Sequence, residues 1–169
     1  MYQDYKDLLS AFHAHGVKYL VVGGYAVIFH AQPRFTRDID LFIKADHANG
    51  QATHAALGAP LQGVRPADFA ERGSFFRFGR DPHGFDILPD IPGVDFDKAW
   101  ERRVEGVIDP ASGLKAFFIS AADLIASKLA AGRPQDLADA AALCNAAEAK
   151  CSQPEKAPQA GPDDDGQRQ

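Results

Sequence analysis

The sequence predicts an α/β domain: a small mixed β-sheet backed by helices, with a helical hairpin at its C-terminal end. Three observations carry that prediction. Short β-rich apolar runs at 17–22, 37–43 and 85–88 alternate with stretches of helical periodicity. Turn-forming residues mark the boundaries, among them Gly16, Gly23-Gly24, Pro33 and Gly132. From Ser120 to about residue 150 the chain carries helix start and stop signals.

The elements follow in order. Residues 5–15 place Tyr5, Leu8, Leu9 and Phe12 on one helical face, ending before Gly16. Residues 17–22 form the first strand, and 25–31 fit a short buried helix halted by Pro33. Residues 37–43 form the second strand and 45–57 a weakly amphipathic helix, while 63–73 show little of either period and read as loop. Residues 74–78 and 85–88 read as a hairpin across the turn-rich 79–84. A short helix at 95–103 precedes strands at 104–108 and 115–119 around the turn 109–113. Ser120 is an N-cap with Asp123 three residues on, and that helix runs to Ala131 and stops at Gly132. A last helix starts with Pro134 in its first turn and ends near residue 150. Beyond it Pro, Gly, Gln, Asp and Lys dominate, a composition that cannot offset its ordering entropy. The expected organisation is one domain over 1–150, with a core at about 8–119 and a helical part at about 120–150, then a disordered tail over 151–169.

Bulk properties narrow the function classes. At 169 residues, 46% hydrophobic and 24% charged, the composition is that of an ordinary globular domain. No apolar run approaches the roughly 20 residues that span a bilayer, and the polar, acidic start is unlike a signal peptide. The expectation is a cytoplasmic protein with no membrane partner. The net charge is −5, of which 151–169 supplies −2, which argues against a broad basic surface for nucleic acid. Cys144 and Cys151 would lie about 10 Å apart along one helix, too far for a disulfide, and read as free thiols.

The chemistry concentrates in residues 19–43. In a strand, positions i and i+2 share a face, so Asp38 and Asp40 would project side by side. Two such carboxylates repel unless a cation sits between them, and hard oxygen donors suit Mg²⁺ or Mn²⁺. Upstream, Gly23-Gly24 stands at a strand-to-helix turn, where backbone can approach a phosphate and the helix N-terminus favours it, or where a helix merely packs tightly. A two-ion site needs a third carboxylate on a neighbouring strand. Asp86, in an otherwise apolar alternating run, is the candidate, with Asp81, Asp90 and Asp95 close enough in sequence to substitute. Arg34 and Arg37 flank Thr36 and could grip terminal phosphates or be ordinary surface arginines. Lys128 follows Leu124 and Ile125 near a buried helical face, so it must snorkel or find an anion; Arg133, Asp136 and Asp139 come next.

This arrangement resembles the DNA polymerase β-like nucleotidyltransferase superfamily, whose signature is an apolar strand, Gly-Gly or Gly-Ser, about ten residues of spacer, then Asp-x-Asp or Asp-x-Glu. Thirteen residues, Tyr25 to Arg37, separate Gly24 from Asp38 here, at the long end of that range. The chain is most similar to minimal bacterial nucleotidyltransferases, including AbiEii-type toxins and their small uncharacterised relatives. The matching pieces are Val22-Gly-Gly-Tyr-Ala26, Arg34-Phe-Thr-Arg-Asp-Ile-Asp-Leu41, Phe85-Asp-Ile-Leu88 and residues 123–139, in the family's order.

The resemblance implies a nucleotidyltransferase fold and transfer of NMP from an NTP to RNA (a tRNA end, for instance), a protein hydroxyl or a small molecule. It implies two Mg²⁺ or Mn²⁺ ions on Asp38, Asp40 and Asp86, with Asp86 helping to deprotonate the nucleophile. Lys128 and Asp136 would complete the catalytic set, with an interhelical salt bridge as the other reading of that pair. Gly23, Gly24, Arg34, Thr36, Arg37 and Arg133 would bind the nucleotide. A toxin with a cognate antitoxin is the biological setting the likeness suggests. The rival accounts are a glycosyltransferase that uses Asp-x-Asp and a catalytically inactive nucleotidyltransferase fold that binds a partner.

Overall fold

A computed structural model describes residues 1–58, 61, 63–79 and 84–152. Most of the expected 79–84 turn and of the expected 151–169 tail lies outside the described residues. The architecture is mixed α/β. Helix α1 (Gln3–Ala14) leads into β1 (Tyr19–Val22), α2 (Gly23–His30), β2 (Ile39–Ile43) and α3 (His47–Leu57). Then come β3 (Phe76–Phe78), β4 (Phe85–Leu88), α4 (Phe96–Glu101), β5 (Val104–Asp109) and β6 (Leu114–Phe118). The chain closes with α5 (Ala121–Ala131) and α6 (Pro134–Cys151). The six strands form one sheet in the order β3-β4-β2-β1-β6-β5. β1–β2, β3–β4 and β5–β6 run antiparallel, while β2–β4 and β1–β6 run parallel.

Strand register divides the chemistry from the core. Asp40 lies opposite Val22 on β1 and Asp86 on β4, and Asp86 lies opposite Arg77 on β3. The alternate residues Val21, Leu41, Ile87 and Phe76 are likewise in register and occupy the other face. On that second face α1 buries Tyr5, Leu9 and Phe12, with Phe12 edge-on to Tyr19 at 5.5 Å. Phe29 of α2 stacks on Phe118 at 4.1 Å. The Asp40 face is covered farther along β2 by α4, whose Phe96 meets Phe42 at 5.0 Å. One sheet face is thus filled by aromatics, and the other is left open at its acid-bearing end.

Local chemistry fixes the ends of the elements. Asp46 caps α3 by accepting from the Asn49 N–H at 2.7 Å. The buried Asn49 carboxamide accepts from Lys18 N–H and donates to the Lys18 and Lys44 carbonyls, which ties the start of β1 to the end of β2. Ser120 caps α5 as expected, accepting from Asp123 N–H and donating to the Asp123 carboxylate at 2.7 Å. Gly132 ends that helix in the left-handed region (φ 68°), so α6 can start at Pro134 and fold back against α5. Cys144 and Cys151 are free and exposed on α6. Among the described residues no helix is long and apolar enough to cross a membrane.

Two expectations need correction. The stretch 63–73 is not all loop: Pro66–Ala70 is a 3₁₀ helix whose Asp68 carboxylate accepts from Arg65 N–H. Its Phe69 is fully buried and meets Phe76 at 4.7 Å. With a single apolar anchor, so short a turn leaves no period to detect. The second strand also starts at Ile39 rather than Arg37, which leaves Asp38 just outside it. The Asp38 carbonyl accepts from Thr36 Oγ (3.3 Å) and the Arg37 carbonyl from Tyr5 Oη (2.9 Å), so these groups are used by side chains.

Candidate functional site

At the open end of the acid-bearing face lies a cleft of about 1,040 Å³. All eleven site residues expected from the sequence line it: Gly23, Gly24, Arg34, Thr36, Arg37, Asp38, Asp40, Asp86, Lys128, Arg133 and Asp136. A second cavity of about 760 Å³, near His13, Trp100 and Lys115, contains none of them.

The glycines make room for the acid. Gly23 opens α2 with φ 58°, and a Cβ built there would fall 1.8 Å from Asp40 Oδ2. A Cβ on Gly24 would fall 2.4 Å from Thr36 Oγ. Any side chain at either position must push the wall of the cleft aside. The start of α2 has no side-chain cap, so its first N–H groups keep their capacity for an acceptor.

Asp38 and Asp86 share one partner that sequence reasoning missed. Arg77 binds Asp86 with two parallel bonds, Nε–Oδ1 at 2.8 Å and Nη2–Oδ2 at 2.7 Å, and reaches Asp38 Oδ2 at 2.9 Å through the same Nη2. These bonds, the Asp86 hydrogen bonds foremost, push the Arg77 pKa up. Asp86 is 3% exposed, and the fork gives each of its carboxylate oxygens a donor. Asp40 is different. No hydrogen bond or ion pair reaches its carboxylate among the described residues. Burial first, then the negative charges of Asp38 and Asp86, push its pKa up to about 6 against the pull of Lys128 and Arg77. Of the substitutes for Asp86, Asp90 lines the cleft too, Asp95 caps α4 through Lys98 N–H, and Asp81 lies outside the described residues.

The opposite wall comes from α5 and α6. Lys128, 8% exposed, has found its anions: Asp136 Oδ1 at 2.8 Å and Asp139 Oδ2 at 2.9 Å. An ammonium carries three protons, so two acceptors leave one to spare. Arg133 bonds Asp136 at 2.5 Å, while Arg34 and Gln135 bond Asp139 at 3.1 and 3.0 Å. Burial works to raise the Asp136 pKa, but the hydrogen bonds from Arg133 and Lys128 prevail and hold it below the ordinary carboxylate range. The interhelical salt bridge is therefore present, and it sits in the wall of the cleft. Arg34 is tied to α6 and to the Phe35 carbonyl (2.9 Å), which is not the posture of a free surface arginine.

In this arrangement no three His, Cys, Asp or Glu side chains among the described residues are grouped to hold a metal ion. A guanidinium instead lies between two of the acids.

Residues 89–147, about a third of the chain, match the model of a family described as nucleotidyltransferase of unknown function (DUF6036). The match covers Lys128, Arg133, Asp136 and Asp139 but stops short of the glycines and of Asp38, Asp40 and Asp86. No curated protein matches the chain. Over the helical wall of the cleft, then, the chain is similar to a nucleotidyltransferase family whose activity is unassigned.

Proposed function

We propose that this protein is a metal-dependent nucleotidyltransferase that moves NMP from an NTP to an acceptor hydroxyl or phosphate. The observation that carries the reading is the convergence of Asp38, Asp40 and Asp86 on one cleft with the uncapped N-terminus of α2 and Lys128. The acids fit a divalent cation by their chemistry. Their oxygens are hard donors, and Asp40, crowded by Asp38 and Asp86, lacks a hydrogen-bond donor among the described residues. Asp38, Asp40 and Asp86 would hold Mg²⁺ or Mn²⁺, which supplies Lewis-acid stabilisation of phosphate charge when bound.

The chain's own groups supply the rest. The N–H groups of Gly23 and Gly24 and the spare proton of Lys128 take the phosphate oxygens. Asp136 and Asp139 position Lys128. The acceptor oxygen gives its proton to Asp86 and forms a bond to the α-phosphorus as the bond to the β-phosphate oxygen breaks, releasing pyrophosphate. Within this reading the chain is a minimal member of the DNA polymerase β-like superfamily. Its setting is a toxin paired with an antitoxin, and its acceptor is RNA, a protein hydroxyl or a small molecule. Support for that setting is the motif resemblance alone.

The test is label transfer. With Mg²⁺ and an RNA or protein acceptor pool, label from α-³²P-NTP should appear on the acceptor, label from γ-³²P-NTP should not, and Asp40→Asn should abolish transfer. Transfer of the γ label, or none from any of the four NTPs, would count against the proposal. The Arg77 bridge favours one alternative, an inactive fold that binds a partner, because it satisfies two acids without metal. That account predicts no metal-dependent nucleotide binding at all.

A further inference from the structure

Two phenylalanines stand in the cleft with their rings out of the core. Phe35 is 79% exposed and Phe75 56%, and both line the same cavity as the acids. Single exposed apolar side chains are common and by themselves mean little. These two differ in how they are held. Each precedes an arginine by two positions, and each arginine lies near its ring: Arg37 is 5.9 Å from the Phe35 centroid and Arg77 5.7 Å from that of Phe75.

The backbone beneath Phe35 is pinned, and Phe75 directly precedes β3. Arg34 donates to the Phe35 carbonyl while gripping Asp139, Thr36 donates to the Asp38 carbonyl, and Tyr5 donates to the Arg37 carbonyl. On the other segment Arg77 is forked onto Asp86. Fixed backbone that displays an unpacked ring is a preorganised platform, because a ligand that covers it need not order it.

We infer that Phe35 and Phe75 are stacking surfaces for nucleobases, each working with its neighbouring arginine, so that the cleft takes base-bearing ligands and not phosphate chains alone. This rests on the nucleotidyltransferase reading and adds to it the moiety recognised at the rim. Flat π-faces beside guanidinium groups suit bases of any sequence. At about 1,040 Å³ the cleft is at the top of the roughly 300–1,000 Å³ range for one compact ligand, which leaves room for an acceptor's terminal base beside the incoming nucleotide.

Calorimetric titration of the full chain in Mg²⁺ with three probes tests this: ATP, tetra-adenylate and inorganic triphosphate. Phe35→Ala and Phe75→Ala remove rings that lie outside the buried core and should leave the fold intact by circular dichroism. At least one should weaken ATP or tetra-adenylate about tenfold, leave inorganic triphosphate unchanged, and be restored by the Trp substitution at the same site. A ring that affects only ATP holds the NTP base, and one that affects only tetra-adenylate holds an acceptor base. Wild-type affinity for both base-bearing probes in the two Ala variants, or an equal loss of triphosphate, overturns the stacking role. If triphosphate binds as tightly as ATP and tetra-adenylate does not bind, stacking falls while the phosphate and metal site stands. If no probe binds, both fall.

Discussion

Neutralising Asp40 gives the sharpest energetic consequence of the site's geometry. Its carboxylate is crowded by Asp38 and Asp86, has no donor of its own among the described residues, and has its pKa raised to about 6 from the ordinary 3.8. The sign follows from linkage. A carboxyl with a raised folded pKa binds its proton more tightly folded than unfolded, so wild type gains stability as pH falls through about 6, with the full gain below 3.8. Above pH 6 the folded chain bears the cost of the ionised group. At about 1.4 kcal/mol per pH unit the interval corresponds to about 3 kcal/mol, and solvent in the open cleft reduces it to about 1–3 kcal/mol. Asp40→Asn keeps the shape and removes the charge. Urea denaturation should find the variant about 1–3 kcal/mol more stable at pH 7.5, with the advantage shrinking through pH 6 and gone near pH 4. Lower stability at pH 7.5 would mean that Asp40 is paired structurally, and an advantage independent of pH would mean that its ionisation is not what burdens the fold; either result overturns the prediction.

Three further outcomes follow. Gly23→Ala should cost about 2–4 kcal/mol in denaturation, because it adds left-handed strain and sets a methyl on Asp40 Oδ2; combining it with Asp40→Ala should recover at least about 1 kcal/mol in a double-mutant cycle. Lys128→Met should cost about 2–3 kcal/mol at pH 7 by removing the buried cation that Asp136 and Asp139 share, leaving Asp136 to Arg133 and Asp139 to Arg34 and Gln135. The Asp136 pKa is lowered in the fold, so its part of that loss is present above the ordinary 3.8 and fades as pH falls through the lowered value, which a denaturation series in pH would show. Tyr5→Phe should cost about 1–2 kcal/mol and speed amide exchange in residues 35–39, since the single Tyr5 hydroxyl proton is shared between the Arg37 and Gly84 carbonyls.

The parts of this site that sequence could read are those set by short-range pattern. Gly23-Gly24 before a buried helix, and Asp38 and Asp40 at the entry to an apolar strand, are local facts, and the cleft gathers them as expected. Lys128 near an apolar helical face required an anion, and Asp136 and Asp139 on the next helix supply it. Arg77 was missed because its role depends on hairpin register. β3 is three residues long, and only its alignment with β4 places Arg77 opposite Asp86. A signal existed: Phe76-Arg77-Phe78 mirrors Phe85-Asp86-Ile87 across the turn, one charge in each apolar alternation. Phe35 and Phe75 carried no warning, since a phenylalanine beside a strand reads as core until its exposure is known. Asp38 fell outside its strand because the side chains of Thr36 and Tyr5 take carbonyls just ahead of Ile39, a competition that no periodicity reports.

The proposed metal–nucleotide site consists of Asp38, Asp40 and Asp86 with the start of α2. Its decisive test is calorimetric titration of each Mg²⁺–NTP into wild type and into the Asp38→Ala/Asp40→Ala double variant. Wild type should show binding that needs both the divalent cation and the nucleotide, and the double variant should show none. No heat from any NTP in either protein, or equal binding in both, would contradict it.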